Sequence, residues 1–388
     1  MLPRPGPSAQ RCPAVGPSPG SEQAMKLSWV IAGGGTGGHV TPALALGEII
    51  AERGEPVLFI GSEQGLEARL VPEAGFELLA LPSQQVMGRR LIGRIKGLLG
   101  TLRQVGRARS ALRAHRADIV ISVGGFAAMP AALAALTTGC PLALVEPNAI
   151  PGRANRLTAR FAGRIFVGFA STAKHLSARN AVSHFGIPLR AGLVRAFDQR
   201  EPRKAPHSPL RLLIFGGSQG ARQINEAMIE LAPQFSGQPI EIFHQAGEAD
   251  RARVQAAYTD ARIEAQVVDF ESAMPARYRW ADLALCRAGA LTVAELALAG
   301  LPALLVPYPF AADDHQAANA DALSESGAAI RLNSRPLDAQ ALAAQLLALI
   351  RDPSSLTPMS KAASAVAQPE AARRIVQACA VLAQGDAA

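Results

Sequence analysis

Two stretches of this chain run through the same order of events: a buried apolar strand, a run of glycines, then a helix. Leu27–Ala32 leads into Gly33-Gly34-Gly35-Thr36-Gly37-Gly38-His39 and a helix expected over Pro42–Arg53. Leu210–Phe215 leads into Gly216-Gly217-Ser218-Gln219-Gly220 and a helix expected over Ala221–Leu231. Strands alternating with helices build parallel sheets. Further strand signals follow each opening: Pro56–Ile60, Asp118–Val123 before Gly124-Gly125, and Pro141–Glu146 before Pro147-Asn148 in the first half. Ile240–Gln245, Ala265–Phe270, Asp282–Cys286 and Pro302–Pro307 do so in the second. The pattern predicts an α/β protein of two Rossmann-like, doubly wound domains. Ligands of such sheets sit beyond the carboxyl ends of the strands, where both glycine runs lie, so the site is expected in the cleft between the domains.

The boundaries follow from composition. Residues 1–24 hold six prolines and no apolar core of signal-peptide type, which predicts a disordered extension with Met25 as structural start. Residues 25–189 form the expected N-terminal domain, and 190–209, rich in proline and charge, the linker. Residues 210–360 form the C-terminal domain, and 361–388 a helical segment that can pack back on the N-terminal domain. At 49% hydrophobic and 18% charged residues, the chain is not a disordered one. Its net charge of +8 favours phosphate-bearing or anionic-surface partners. The four cysteines (Cys12, Cys140, Cys286, Cys379) form no CxxC pair, which argues against a disulfide framework or a zinc cluster.

Gly33, Gly35 and Gly38 satisfy G-x-G-x-x-G, but the acidic residue that a dinucleotide site needs at the end of the next strand is missing after Ile60, Glu63 coming late. What survives is the plainer use of such a loop. Backbone N–H groups and a helix N-terminus cradle a phosphate. Two such loops facing one cleft suit two phosphate-bearing substrates. His39, at a helix start, is either a structural cap or a general base kept neutral by the helix dipole. Glu295, in the helix after Arg287-Ala288-Gly289, is either a surface carboxylate or an acceptor of ribose hydroxyls. Asp313, Asp314 and His315 are adjacent and so point to different helix faces, which disfavours a metal site. Gln316 and Asn319 share a face and suit sugar hydroxyls.

One segment reads as a surface for membranes. Leu91, Ile92, Ile95, Leu98, Leu99, Leu102 and Val105 recur at helical spacing, flanked by Arg89, Arg90, Arg94, Lys96, Arg103 and Arg107. An ordinary core-facing helix with snorkelling arginines has the same pattern. A basic rim beside an apolar stripe also fits docking on an anionic bilayer. No run of 18 apolar residues exists.

Taken together, Gly34-Gly35-Thr36-Gly37-Gly38-His39, Gly124-Gly125-Phe126, Glu146-Pro147-Asn148, Gly216–Gly220, Arg287–Glu295, and Gln316 with Asn319 resemble the MurG family of bacterial peptidoglycan UDP-N-acetylglucosamine transferases, from about Leu27 onward. The resemblance implies a GT-B fold and inverting transfer of GlcNAc from UDP-GlcNAc to the MurNAc C4 hydroxyl of undecaprenyl-linked lipid I, giving lipid II. It implies that His39 is the base and that no cofactor or metal is needed. Donor contacts are implied at Thr36, Gly37, Gly38, Asn148, Arg190, Ser218, Glu271, Ala290, Leu291, Thr292, Val293, Ala294, Glu295 (on ribose) and Gln316. The acceptor side is implied at Gly35, Gly124, Gly125 and Glu146, and the loop Thr36–Gly38 also receives the acceptor diphosphate. The membrane contact falls on Arg89, Arg90, Leu91, Ile92, Arg94, Ile95, Lys96, Leu98 and Leu99, and the location on the cytoplasmic face of the inner membrane. Val145 and Pro147 stand where the family has His and Gln, and Ile187 where it has Asn.

Three other readings compete. Another UDP-sugar enzyme, such as a glycolipid synthase or a UDP-GlcNAc 2-epimerase, keeps the fold and changes the substrates. A nicotinamide-dependent dehydrogenase lacks its ribose carboxylate here. A non-catalytic nucleotide-binding scaffold would not need a base. Nucleic-acid binding is disfavoured by 5% aromatics and the absence of a binding motif.

Overall fold

The computed structural model describes residues 26–82, 91–177, 181–198, 203, 205–216 and 221–385, without the side chains of 91–99 and 101. Residues 1–25, the predicted extension 1–24 and Met25, lie outside it. In the first half, β1 (Trp29–Gly33), β2 (Val57–Ser62), β3 (Glu77–Leu81), β4 (Ile119–Gly124), β5 (Leu142–Glu146), β6 (Arg164–Val167) and β7 (Val182–His184) alternate with α1 (Gly37–Glu52), α2 (Glu67–Glu73), α3 (Leu91–Ala114), α4 (Met129–Thr138) and α5 (Arg153–Thr158). After α6 (Ala191–Ala196), the second half brings β8 (Leu210–Phe215), β9 (Ile240–Gln245), β10 (Glu264–Val268), β11 (Leu283–Cys286), β12 (Ala303–Leu305) and β13 (Ala329–Arg331). With them come α7 (Arg222–Leu231), α8 (Arg251–Asp260), α9 (Met274–Trp280), α10 (Ala290–Ala299) and α11 (His315–Glu325), then α12 (Ala339–Arg351), α13 (Leu356–Ala365) and α14 (Ala371–Ala383).

The two sheets have equivalent orders, β3-β2-β1-β4-β5-β6-β7 and β10-β9-β8-β11-β12-β13, with all pairings parallel. In each, the order reverses beside the opening strand, between β1 and β4 and between β8 and β11. That switch point is where the glycine loops emerge. The strands are short apolar runs because helices cover both faces: Trp29, Ile31, Ile119 and Ile121 pack on one side of the first sheet, and Val30, Ala32, Val120 and Leu144 on the other.

Several boundaries differ from the sequence reading. Helix α1 starts at Gly37, five residues before Pro42, and carries Pro42 within it. Gly37, Gly38 and His39 therefore form its first turn. The expected linker contains α6, whose first N–H, at Ala191, is accepted by Glu48 of α1 at 2.9 Å. A cap supplied by a residue 143 positions away leaves no local signal. The C-terminal boundary moves as well. Ala363 of α13 belongs to the core of the second domain, whereas Ala372, Ile375, Val376 and Cys379 of α14 complete the core of the first. The chain thus crosses between domains twice.

Candidate active site

The first glycine loop is held from three sides. Its position Gly34 touches Glu67: a Cβ there would lie 2.1 Å from the Glu67 carboxylate. Gly125, at φ +82°, passes so close that its own Cβ would lie 2.3 Å from the Gly34 carbonyl oxygen. Gly124, at φ +108°, backs onto the Asn155 amide. A left-handed backbone pressed against a neighbouring carbonyl admits only glycine. The loops after β1 and β4 therefore interlock. Thr36 occupies the N-cap of α1 without capping it, and its hydroxyl lies 3.2 Å from His39 Nδ1. The first-turn N–H groups have no partner within the helix, so those of Gly37 and Gly38 remain as an anion cradle.

His39 is half-buried. Burial, and secondarily the His315 imidazole at the start of α11, hold its pKa below the ordinary histidine value, against smaller opposing effects of the Gly34 carbonyl and the Glu67 carboxylate. With the Thr36 hydroxyl at Nδ1 and a lowered pKa that favours the neutral ring, the His39 imidazole is able to accept a proton. The start of α11, in the second domain, thus lies on the His39 side of the seam, where Ala149 and Arg156 of the first domain meet Asn319 and Asp313.

Glu146 has a different role from the acceptor contact expected of it. It is fully buried, and its carboxylate accepts from Asn148 N, Asn148 Nδ2, Gly152 N and Asn155 Nδ2 at 2.9–3.2 Å. Burial raises its pKa, and these four donors offset part of the rise. It braces the 147–152 loop and has no free face for a substrate. The loop in turn reaches the second domain. Buried Asn319 of α11 accepts from Ala149 N at 2.8 Å and donates to Ala288 O at 3.2 Å, with Asn148 Oδ1 at 3.4 Å. Arg156 and Asp313 pair across the same seam at 2.5 Å. The residues that depart from the MurG pattern here, Val145 and Ile187, are core side chains, 1% and 4% exposed.

In the second domain Gly289 caps α10, and Ala290, Leu291, Thr292, Val293 and Ala294 make its opening turns, bringing Glu295 into place. The Tyr278 hydroxyl donates to one Glu295 oxygen at 2.6 Å, and no other hydrogen bond to the carboxylate occurs among the described residues. Burial pushes its pKa up to about 6, the Tyr278 bond acting in the opposite direction. Gln316 accepts from Tyr308 N at 2.9 Å, which leaves its NH₂ free. Arg287, overlooked as a functional candidate, donates to Gln223 and to the Val306 and Pro307 carbonyls. With Tyr308, Phe310 and Gln316 it lines a cavity of about 690 Å³ at the carboxyl ends of β8 and β12.

Other expected contacts fall elsewhere. Arg190, at the domain junction, is tied through its Nε to Glu48 of α1 at 2.5 Å. The Glu271 side chain is spent on Arg277, at 2.6 Å, and on Ala273 N, and its backbone N–H donates to Gln245 Oε1 at 3.3 Å, leaving the backbone carbonyl for a ligand. Ser218, with Gly217–Gly220, lies outside the described residues, as do Arg89, Arg90 and the side chains of Leu91, Ile92, Arg94, Ile95, Lys96, Leu98 and Leu99. The backbone of the last seven lies in α3, whose later residues Ala108 and Leu112 enter the core while Leu102 stays 58% exposed. Among the described residues no helix is long and apolar enough to cross a membrane.

Two doubly wound sheets facing across a cleft, one bearing an anion loop with a neutral histidine and the other a capped helix presenting a carboxylate, define a glycosyltransferase of the GT-B type. Residues 29–167 match the glycosyltransferase family 28 N-terminal domain and residues 211–375 its C-terminal domain. A protein of Acidithiobacillus ferrooxidans is 42% identical over 92% of this chain and 98% of its own length. One of Alkalilimnicola ehrlichii is 40% identical over 92% and 99%. Both are named UDP-N-acetylglucosamine–N-acetylmuramyl-(pentapeptide) pyrophosphoryl-undecaprenol N-acetylglucosamine transferase. The crystal structure of Acinetobacter baumannii MurG superposes with a TM-score of 0.75 at 32% identity, covering 92% of this chain and 99% of that one. The chain belongs to glycosyltransferase family 28 and, within it, to the MurG family. UDP-GlcNAc 2-epimerase from Neisseria meningitidis, at 15% identity and a TM-score of 0.62, shares the fold alone.

Proposed function

We propose that this protein transfers GlcNAc from UDP-GlcNAc to the MurNAc C4 hydroxyl of undecaprenyl-diphosphate-linked MurNAc-pentapeptide, lipid I, forming lipid II. The observation that carries this reading is identity of about 40% with the named transferases through both domains. The geometry supports the roles. The acceptor diphosphate rests on the Gly37 and Gly38 N–H groups and the Gly124-Gly125 turn. His39 Nε2 takes the C4 hydroxyl proton as that oxygen bonds to the anomeric carbon and the bond to the UDP oxygen breaks on the opposite face, which inverts the centre. Glu295 accepts the ribose hydroxyls, Gln316 and Asn148 orient the sugar, and Ser218 with the first turn of α7 binds the departing diphosphate. The protein acts as a peripheral enzyme at the cytoplasmic face of the inner membrane, docked through the basic and apolar stretch 89–99. Incubation with UDP-GlcNAc and a lipid I analogue is expected to yield UDP and the β-linked disaccharide in equal amounts. Conversion of UDP-GlcNAc to its 2-epimer or to free sugar, without disaccharide, would overturn the reading.

A further inference from the structure

We propose that Glu67 is a positioning residue for the transfer, holding the Gly34–Thr36 loop, and through Thr36 the imidazole of His39, in the geometry that receives the acceptor. Glutamate is seldom fully buried without a cationic partner. Glu67 is 1% exposed, and among the described residues no arginine, lysine or histidine pairs with it. Its carboxylate faces donors from two loops instead. Oε2 accepts from Gly35 N at 2.9 Å, and Oε1 accepts from Ser62 N at 2.8 Å and Ser62 Oγ at 2.7 Å. Space for it is cleared by three glycines: a Cβ at Gly34, Gly61 or Gly65 would lie 2.1, 2.5 or 2.1 Å from the Glu67 side chain. Three side chains omitted around one buried carboxylate make this a built seat for a charge.

The contacts form a short relay. Glu67 fixes the Gly35 N–H, and the next residue, Thr36, faces His39 Nδ1 and accepts the His39 backbone N–H at 3.0 Å. Two titratable groups bear on the imidazole from the elements around it. Glu67, from the start of α2, favours its protonated form, and His315, from the start of α11, opposes it. The imidazolium that forms as the acceptor loses its proton is thus stabilised from the glycine-loop side. An amide at position 67 would remove the charge and would turn an NH₂ toward either the Gly35 N–H or the Ser62 donors, so the seat cannot be refilled by glutamine.

This proposal rests on His39 as the base, and its test keeps the two apart. Full-length Glu67→Gln and Glu67→Asp are compared with the parent by NMR titration of His39, by kcat and KM for a lipid I analogue, by UDP affinity and by thermal unfolding. Glu67→Gln is expected to lower kcat roughly 10–100-fold, the scale of a small misplacement of a reacting group. It is expected to lower the His39 titration midpoint by on the order of half a pH unit, with UDP affinity unchanged. Glu67→Asp, which keeps the charge, restores the midpoint in part and serves if the glutamine variant does not fold. A folded glutamine variant with parental kcat and midpoint overturns the proposal. So does an activity loss matched by the folded fraction with the midpoint unmoved. Parental kcat in His39→Ala overturns the base assignment instead, whatever Glu67 does.

Discussion

At the scale of single residues, the site separates groups with a free atom from groups whose atoms are all engaged. His39 and Glu295 keep one free functional atom each, Glu146 and Glu271 are spent on the protein, and Arg190 gives its Nε to Glu48. Composition and spacing show all five as polar residues near glycine or proline turns, and only packing tells them apart. Glu67 left a trace in its flanking glycines at 61 and 65, but no spacing rule connects these to Gly34. Two predictions belong here. His39→Ala should lower kcat by roughly 10²–10⁴-fold with donor affinity nearly unchanged, in steady-state kinetics that vary each substrate in turn. Because burial lowers its pKa, the acidic limb of the parental kcat profile should fall below about pH 6.5 and vanish in the variant. Preserved kcat with a raised acceptor KM would reduce His39 to a binding role. For Glu295 the sign runs through the ionised form. Ribose hydroxyls donate to the carboxylate, so UDP affinity should be level above neutral pH and weaken as pH falls through about 6. Calorimetry of Glu295→Gln should show weaker binding, by about 1.5–3 kcal/mol at neutral pH, and no such pH dependence.

At the scale of elements, strands ending in glycine were legible because both their signals are local: an apolar run, then residues of special backbone freedom. Helix starts were less so. Pro42 looks like a first-turn proline, yet three residues of its glycine loop wind into α1, an outcome set by the interlock of Gly34 with Gly125. The strands β3, β6, β7 and β13 have no counterpart in the sequence reading. The interlock is testable. Gly125→Ala combines a left-handed φ with a collision against a backbone oxygen, so thermal unfolding should show destabilisation of about 1–3 kcal/mol. Because the loop must retreat from Gly34, the variant should lose acceptor turnover more than UDP binding. Parental kinetics would mean that the two loops are not coupled.

At the scale of the whole molecule, the predicted pair of doubly wound domains and their cleft match the two sheets, since the duplicated opening fixed both sheet type and ligand edge. The seam between them was invisible: Asn319 with Ala149, and Arg156 with Asp313, join residues more than 150 positions apart. Docking on the bilayer is also a property of the assembled surface. Replacing Arg89, Arg90, Arg94 and Lys96 together by glutamine should reduce co-sedimentation with anionic vesicles, more so at low salt, and spare turnover of a short-chain acceptor. Equal, salt-independent binding by both proteins would return α3 to an ordinary packing role.

The return of α14 to the first domain also sets the order in which the molecule can be finished. During synthesis the first sheet is complete by His184, but the apolar strip on α1 waits for Ile375 and Val376, each contributing about 1.5–3 kcal/mol once buried. At ribosomal rates of roughly 5–20 residues per second, that delay is on the order of ten to forty seconds. Throughout it the nascent chain presents an uncovered groove the length of a helix, while the second domain folds between the two halves of the first. A ribosome stalled between the end of α13 and residue 370 therefore leaves a chain in which the donor domain can be whole and the acceptor domain cannot, a natural substrate for chaperones that hold exposed apolar grooves.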